Sequence, residues 1–472
     1  MSEIALAGRG TSTWVAALAR KSAVPLLIFC LVFAGYSLSY GELPGFLSDG
    51  LLNNVRDLFR PIFPGNPDRY IFPGNPDWYK HHVFLTDAIL NGSLDVGAAG
   101  IPDFYQDTIS VEGRKYVPFS PGPSFLLLPF VAIWGTDLSQ VYVSMALGAI
   151  NVVLFWYLLG QLNMSRTTRL LLVPFFAFGT VHFYAATTGT VWFFAHISAV
   201  FFLLLAIIFL LRGTSLVVPG ILVGLAFLSR ETVILAAPFF LYWIIHQRHE
   251  KVFSKEALLD RQSLIQIGHF GAGLAVLVGV FVWYNVARFG DPFETGFGTV
   301  GEGYVNSGIR YSFYRNWFPN GPHFIELIPG VVSVLQFDVR NIPLHLYTIF
   351  LMPPDLTHDI SVFRPSPYGM SVLLTSPAFV FAAFVKRKDV LKIASRLAIG
   401  LISIPLFLHF AQGWVQFGYR FLLDFAPFLL ILTAFGFEDH RSPTTTKLMI
   451  FLVAVSIVAN VWGRYWATQL GW

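Results

Sequence analysis

Apolar residues along this chain gather into blocks separated by short polar connectors, many of them about 17–25 residues long, the length of helix that crosses a hydrocarbon core roughly 30 Å thick. The pattern predicts eleven spans, near residues 22–40, 139–161, 170–186, 192–211, 216–229, 232–246, 265–287, 371–385, 397–411, 419–437 and 448–463. The first run follows Arg20 and Lys21 but has no small-x-small cleavage site, and it reads as a retained span rather than a leader. The expectation is an all-α polytopic membrane protein with about eleven transmembrane helices, forming one domain over residues 1–472. The apolar stretch 125–134 is too short to cross and would break the alternation of sides, so it is expected as a juxtamembrane helix.

Composition agrees: 55% of residues are hydrophobic, 17% aromatic and only 12% charged, against roughly a quarter charged in soluble domains. The net charge of +4 does not point to nucleic acid, because the basic residues form no groove or domain. They follow the loops instead. With a cytoplasmic N-terminus, the inner connectors hold 17 of the 31 Lys and Arg, including Lys386, Arg387, Lys388, Lys392 and Arg396, as the positive-inside rule requires. This places the protein in the plasma (inner) membrane as a multi-pass protein. Cys30, the only cysteine, lies inside the first apolar block, so no disulfide forms within one chain.

That orientation leaves two large outer segments, 41–138 and 288–370, rich in Pro, Gly, Asn, Trp and Tyr, where chemistry is to be sought. The first holds a tandem nonapeptide, IFPGNPDRY and IFPGNPDWY over residues 62–79, a local duplication differing only at Arg69 and Trp78. Three places carry ionisable groups at or near membrane depth, where they are costly to bury. Asp77 reads either as a general base or as the N-cap of a helix. Arg230 and Glu231 interrupt a 30-residue apolar run, implying two half-length helices; Arg230 either faces a cavity suited to a phosphate or pairs with Glu231 or another helix. Arg420 and Asp424 are four apart, on one face if helical, and read either as an ordinary ion pair or as a phosphate site. His81 and His82 point to different helix sides and read as surface residues rather than a metal pair, while His196 reads as a hydrogen-bonded residue within a span. The run Pro118–Pro123 reads as a helix breaker.

No GxSxG elbow, P-loop, GxGxxG fingerprint or HExxH helix occurs, which leaves hydrolase, ATPase, dehydrogenase and metalloprotease readings without support. The chain resembles the GT-C superfamily of polytopic glycosyltransferases, in particular the branch of the protein O-mannosyltransferases and lipid A aminoarabinose transferases with their uncharacterised bacterial relatives. The resemblance is carried by Asp77 with Gly92 fifteen residues on, by EGRKYVPFSPGPSFLLLPFVAIWG (112–135), by LSRE around Arg230, and by YNVARFGDPFETGF (284–297) and GWVQFGYRFLLDF (413–425). Two departures stand out: Trp78 replaces the family's Glu, and Ser120 with Pro121 stands where the aminoarabinose transferases have a Lys.

What the resemblance implies is sugar transfer from a polyprenyl-phosphate donor to a lipid, glycan or protein acceptor at the outer face, with membrane lipids around the spans and no cofactor or metal demanded. It makes Asp77 the base, assisted by Asp87. Arg230 and Arg420 bind the donor phosphate, and Tyr79, His81, Tyr116 and Glu231 contact substrate. Asp103 and Asp107 match no motif. Two readings from other classes stay open: a secondary transporter, which broken helices would also suit although no repeat relates the halves, and a non-catalytic protein that binds a lipid carrier.

Overall fold

The computed structural model describes residues 7–40, 79–300, 337–355, 364–413 and 415–470, with side chains from residue 23 on. Its elements are α1 (Ala7–Tyr40), α2 (His81–Leu90), the hairpin β1 (Ile109–Val111) and β2 (Arg114–Tyr116), α3 (Gly122–Trp134), α4 (Gln140–Gln161), α5 (Arg166–Phe178), α6 (Val181–Thr188), α7 (Val191–Leu211), α8 (Val217–Phe227), α9 (Ala237–His246), α10 (Lys255–Leu259), α11 (Arg261–Phe289), α12 (Ile342–Phe350), α13 (Val372–Thr375), α14 (Val390–Leu408), α15 (Ala426–Asp439) and α16 (Pro443–Leu470). Among the described residues seven helical stretches are long and apolar enough to cross a membrane, or eight if α5 and α6, bent by 46°, count as one span.

The protein is therefore a helical, multi-pass membrane protein, with fewer full-length spans than the eleven expected. The shortfall lies in 216–246 and 371–385. In the first, α8 stops at Phe227, Arg230 is extended (φ −146°, ψ 109°), and a 3₁₀ stretch (Glu231–Ala236) leads into α9. Pro238 at the start of α9 has no N–H to donate back to the preceding turn, which favours a new start there. In the second, α13 is followed by a 3₁₀ stretch (Pro377–Phe384) lying so close to α15 that a Cβ on Gly436 would meet the Phe381 carbonyl.

Burial sorts the spans into layers. The windows of α7 and of the stretch Arg420–Asp439 are 78% and 89% buried, whereas those of α11 and α16 are 17% and 28% buried. The first two form the centre of a Phe-rich core; the others turn most of their apolar surface outward, toward lipid. Peripheral α11 is held to α8 by backbone contact: a Cβ on Gly220 would lie 2.1 Å from the Phe270 carbonyl oxygen, and one on Gly273 2.2 Å from that of Val217. Small residues permit such approach where lipid supplies no hydrophobic drive for association.

Residues 79–138 form a compact cap over one end of this bundle. In it α2 packs against α3, and the hairpin pairs Ile109 with Tyr116 through a two-residue turn with positive φ at both Glu112 and Gly113, the twist-matched hairpin geometry. The helix α2 ends where the sequence implied, with Gly92 at φ 71°. It begins at His81 with Lys80 as N-cap; Asp77, read from the sequence as a base or a helix N-cap, lies outside the described residues. The stretch 125–134 is helical, within α3, and with 13 residues is too short to span. The first copy of the nonapeptide, and all of the second except Tyr79, lie outside the described residues.

Candidate functional site

The site is built around Asp424, a carboxylate with no solvent exposure on the 3₁₀ turn Arg420–Phe425 that opens α15. A buried carboxylate persists only if its oxygens are filled by donors, and three side chains from two segments supply them. His196, in the second turn of α7, donates from Nδ1 to Oδ1 at 2.6 Å. Arg230 donates from Nε to Oδ1 at 3.1 Å and from Nη2 to Oδ2 at 3.1 Å. Thr232 donates its hydroxyl to Oδ2 at 2.7 Å. The break between α8 and α9 thus exists to some purpose: it brings Arg230 and Thr232, from either side of Glu231, to one carboxylate.

This arrangement decides among the readings of Arg230 and corrects the pairing expected of Arg420. Arg230 pairs across the bundle with Asp424 and not with its neighbour Glu231, which accepts from the Ser120 hydroxyl at 2.8 Å. Arg420 does not pair with Asp424, because the segment is 3₁₀ with three residues per turn, and positions four apart no longer share a face. The Arg420 guanidinium instead lies 5.2 Å from the Phe193 ring and 5.4 Å from that of Phe421, while Arg230 covers Phe421 at 5.5 Å. Arg420 makes no hydrogen bond or ion pair among the described residues, and its buried Nε is unsatisfied. Two guanidiniums thus flank one ring, and among the described residues only Arg230 is in a direct ion pair.

The cap closes over this point. The Trp192 indole, beside Phe193, donates to Asp107 Oδ2 at 2.8 Å, and Asp107 is held at φ 57°. Tyr79 packs on Trp192 at 5.0 Å and stacks on His81 at 6.0 Å, and His81 Nε2 meets the Gln106 carbonyl at 2.8 Å. The backbone of the cap touches the α8–α9 break directly: Gly122 N–H donates to the Leu228 carbonyl at 2.8 Å. From the other side Tyr284 donates its hydroxyl to the Phe119 carbonyl at 3.1 Å, and buried Arg288 reaches the Val117 carbonyl.

Comparison with protein-family models and with curated proteins found no match. The site is therefore read from its own residues.

Of the residues singled out from sequence, Arg230, Glu231, Arg420, Tyr79 and His81 converge on the start of α7 and the α8–α9 break. Tyr116 lies on β2 against Phe289 and lines a separate cavity. Asp87 is on α2 with its carboxylate toward Asn91 at 3.3 Å and is not joined to the cluster. Asp77 lies outside the described residues. Sequence reading placed His196 in a span with a hydrogen bond, as found, and named Asp107 without a motif to place it, but missed Asp424 as the hub, and Thr232, Trp192 and Arg288 altogether. Asp424 and Arg288 carried a usable signal, being charged residues within apolar runs.

His81 and His82 are buried, contrary to the surface reading, because Tyr79, Tyr105 and Phe119 pack around them. Burial first, and the neighbouring His81 second, push the His82 pKa down to about 3 from its ordinary 6.5. The folded cap therefore keeps His82 neutral where the unfolded chain protonates it. Its contribution to stability is complete above pH 6.5 and is lost as the pH falls from there toward 3. Between pH 7.5 and pH 5.0 the wild type is expected to lose about 2 kcal/mol through this group, and His82→Gln less. Melting of both proteins at the two pH values checks this, and equal pH dependence would sink it. Among the described residues no group of three His, Cys, Asp or Glu side chains could hold a metal ion.

Proposed function

We propose that the protein is a membrane glycosyltransferase that moves a sugar from a polyprenyl-phosphate carrier to an acceptor hydroxyl at the outer face of the plasma membrane. The observation that carries the reading is Arg420, a guanidinium beside a second one, with a buried Nε that no described group satisfies. A phosphate diester oxygen fits that vacancy in charge and in hydrogen-bonding geometry. Arg230, already bound to Asp424, supplies a second N–H face in fixed orientation.

In the reaction the acceptor oxygen attacks the anomeric carbon, the bond from that carbon to the phosphate oxygen breaks, and the phosphate leaves with the bonding pair. Arg420 and Arg230 stabilise the charge that grows on it. The acceptor proton passes to a carboxylate, for which Asp77 is the proposed base, two residues before the Tyr79 that stacks into the cap. The scheme calls for no nucleotide, because the sugar arrives already activated on its carrier.

The test is transfer of radiolabelled sugar from a panel of polyprenyl-phosphate sugars, in membranes holding wild type, Asp77→Asn or Arg420→Gln. Wild type is expected to label a lipid, glycan or protein fraction, and each variant to lose at least about 100-fold. No transfer by wild type from any donor would overturn the reading in favour of transport or carrier binding.

A further inference from the structure

A cavity of about 640 Å³ lies beside the hairpin, lined by none of the residues bound to Asp424. Its size is that of small-molecule sites, about 300–1,000 Å³. One wall is aromatic: Tyr116 from β2, Phe125 from α3, and Trp283 and Tyr284 from the end of α11. Asp95 and Arg114 line the cavity too. Asp95 is fixed by its Oδ1, which accepts from the backbone N–H groups of Gly97 at 2.9 Å and Lys115 at 3.0 Å; its Oδ2 has no partner among the described residues. Arg114 is exposed and makes no ion pair among them.

These walls select a ligand class. A purely apolar ligand would strand Asp95 and Arg114, and a bare phosphate would meet the Asp95 carboxylate. A sugar ring satisfies all of them, with C–H faces for the Trp283 and Tyr116 rings and a fringe of hydroxyls that donate to a carboxylate and accept from a guanidinium. The Tyr284 hydroxyl is already committed to Phe119, so Tyr284 offers only its ring.

We propose that this cavity is a saccharide-binding subsite that receives the sugar head of the acceptor; its role rests on the transfer reading above, its chemistry does not. The inner wall explains the coupling. Pro121 lines the cavity, while Ser120 next to it bonds Glu231, the residue after Arg230. A saccharide held there lies across one turn of backbone from the guanidinium pair. The rim explains the route. Trp283 is 60% exposed, and Val286, three residues on along α11, is exposed with it, indole and apolar surface suited to the membrane interface. The saccharide is accordingly one carried on a lipid anchor, entering sideways from the bilayer.

The test uses the full-length protein in nanodiscs and saturation-transfer NMR with mannotriose, chitotriose and maltotriose as probes. At least one is expected to take up saturation on its ring C–H protons. Trp283→Ala and Arg114→Ala, both at exposed positions, should each cut that signal at least tenfold, and Arg420→Gln should leave it intact. No saturation beyond empty nanodiscs, or a signal unchanged in both cavity variants, overturns the proposal. A diacylglycerol-linked disaccharide added to the bilayer should displace the bound trisaccharide; failure to do so overturns the lipid-borne route. Transfer without trisaccharide binding sinks the subsite alone, and binding without transfer sinks the transferase reading alone.

Discussion

Asp424→Ala is expected to cost the folded protein about 3–5 kcal/mol, the usual penalty for removing one side of a buried ion pair. The loss comes from what remains: the Arg230 guanidinium, the His196 Nδ1–H and the Thr232 hydroxyl keep their positions but lose the oxygens they were bound to. Arg230 is about a quarter exposed, so water can recover part of its hydration, which favours the lower end of that range. Replacing both charges, as in Asp424→Leu with Arg230→Met, removes the stranded cation and should recover much of the stability. Thermal unfolding in detergent followed by size-exclusion fluorescence distinguishes the cases. An unaltered melting point for Asp424→Ala, or a double variant no more stable than the single one, would show that the pair does not hold the bundle together.

Gly122→Ala should loosen the cap from the bundle while leaving the spans folded. A Cβ on Gly122 would stand 2.6–2.7 Å from the carbonyl carbon and oxygen of Leu228 and the nitrogen of Ser229. All three are backbone atoms, so no side chain can swing aside, and relief requires the loop to lift. Overpacking of this kind costs about 1–3 kcal/mol, equivalent to roughly 5–150-fold in the opening equilibrium. The amide of Gly122, which donates to Leu228, and its neighbours in 116–123 should therefore exchange hydrogen faster by about that factor. Exchange measured by mass spectrometry in nanodiscs gives the answer, and unchanged protection of that peptide in the variant would refute the close contact.

Much of the membrane architecture was legible because hydropathy is summed over neighbours in sequence: α1, α4, α7, α11, α14 and α16 all overlap the expected spans. The break at Arg230 was legible for the same reason, since a charge within an apolar run is expensive wherever it lies. Its partner was not legible. Asp424 is 194 residues from Arg230 and 228 from His196, and no local pattern encodes such pairings. The choice of 3₁₀ over α geometry at 420–425 is equally silent in the apolar pattern, yet it decides that Arg420 and Asp424 part company. His81 and His82 were misjudged because polarity was weighed alone; the aromatic rings that bury them come from Tyr105 and Phe119 as well as from Tyr79 next door.

The Asp424 hub also fixes an order of assembly. The ribosome releases His196 first, then Arg230 and Thr232, and nearly 200 further residues must follow before their shared carboxylate is made. Throughout that interval the nascent bundle carries an uncompensated cation at the α8–α9 break. Only completion of the chain through α15 supplies the Asp424 carboxylate that neutralises it.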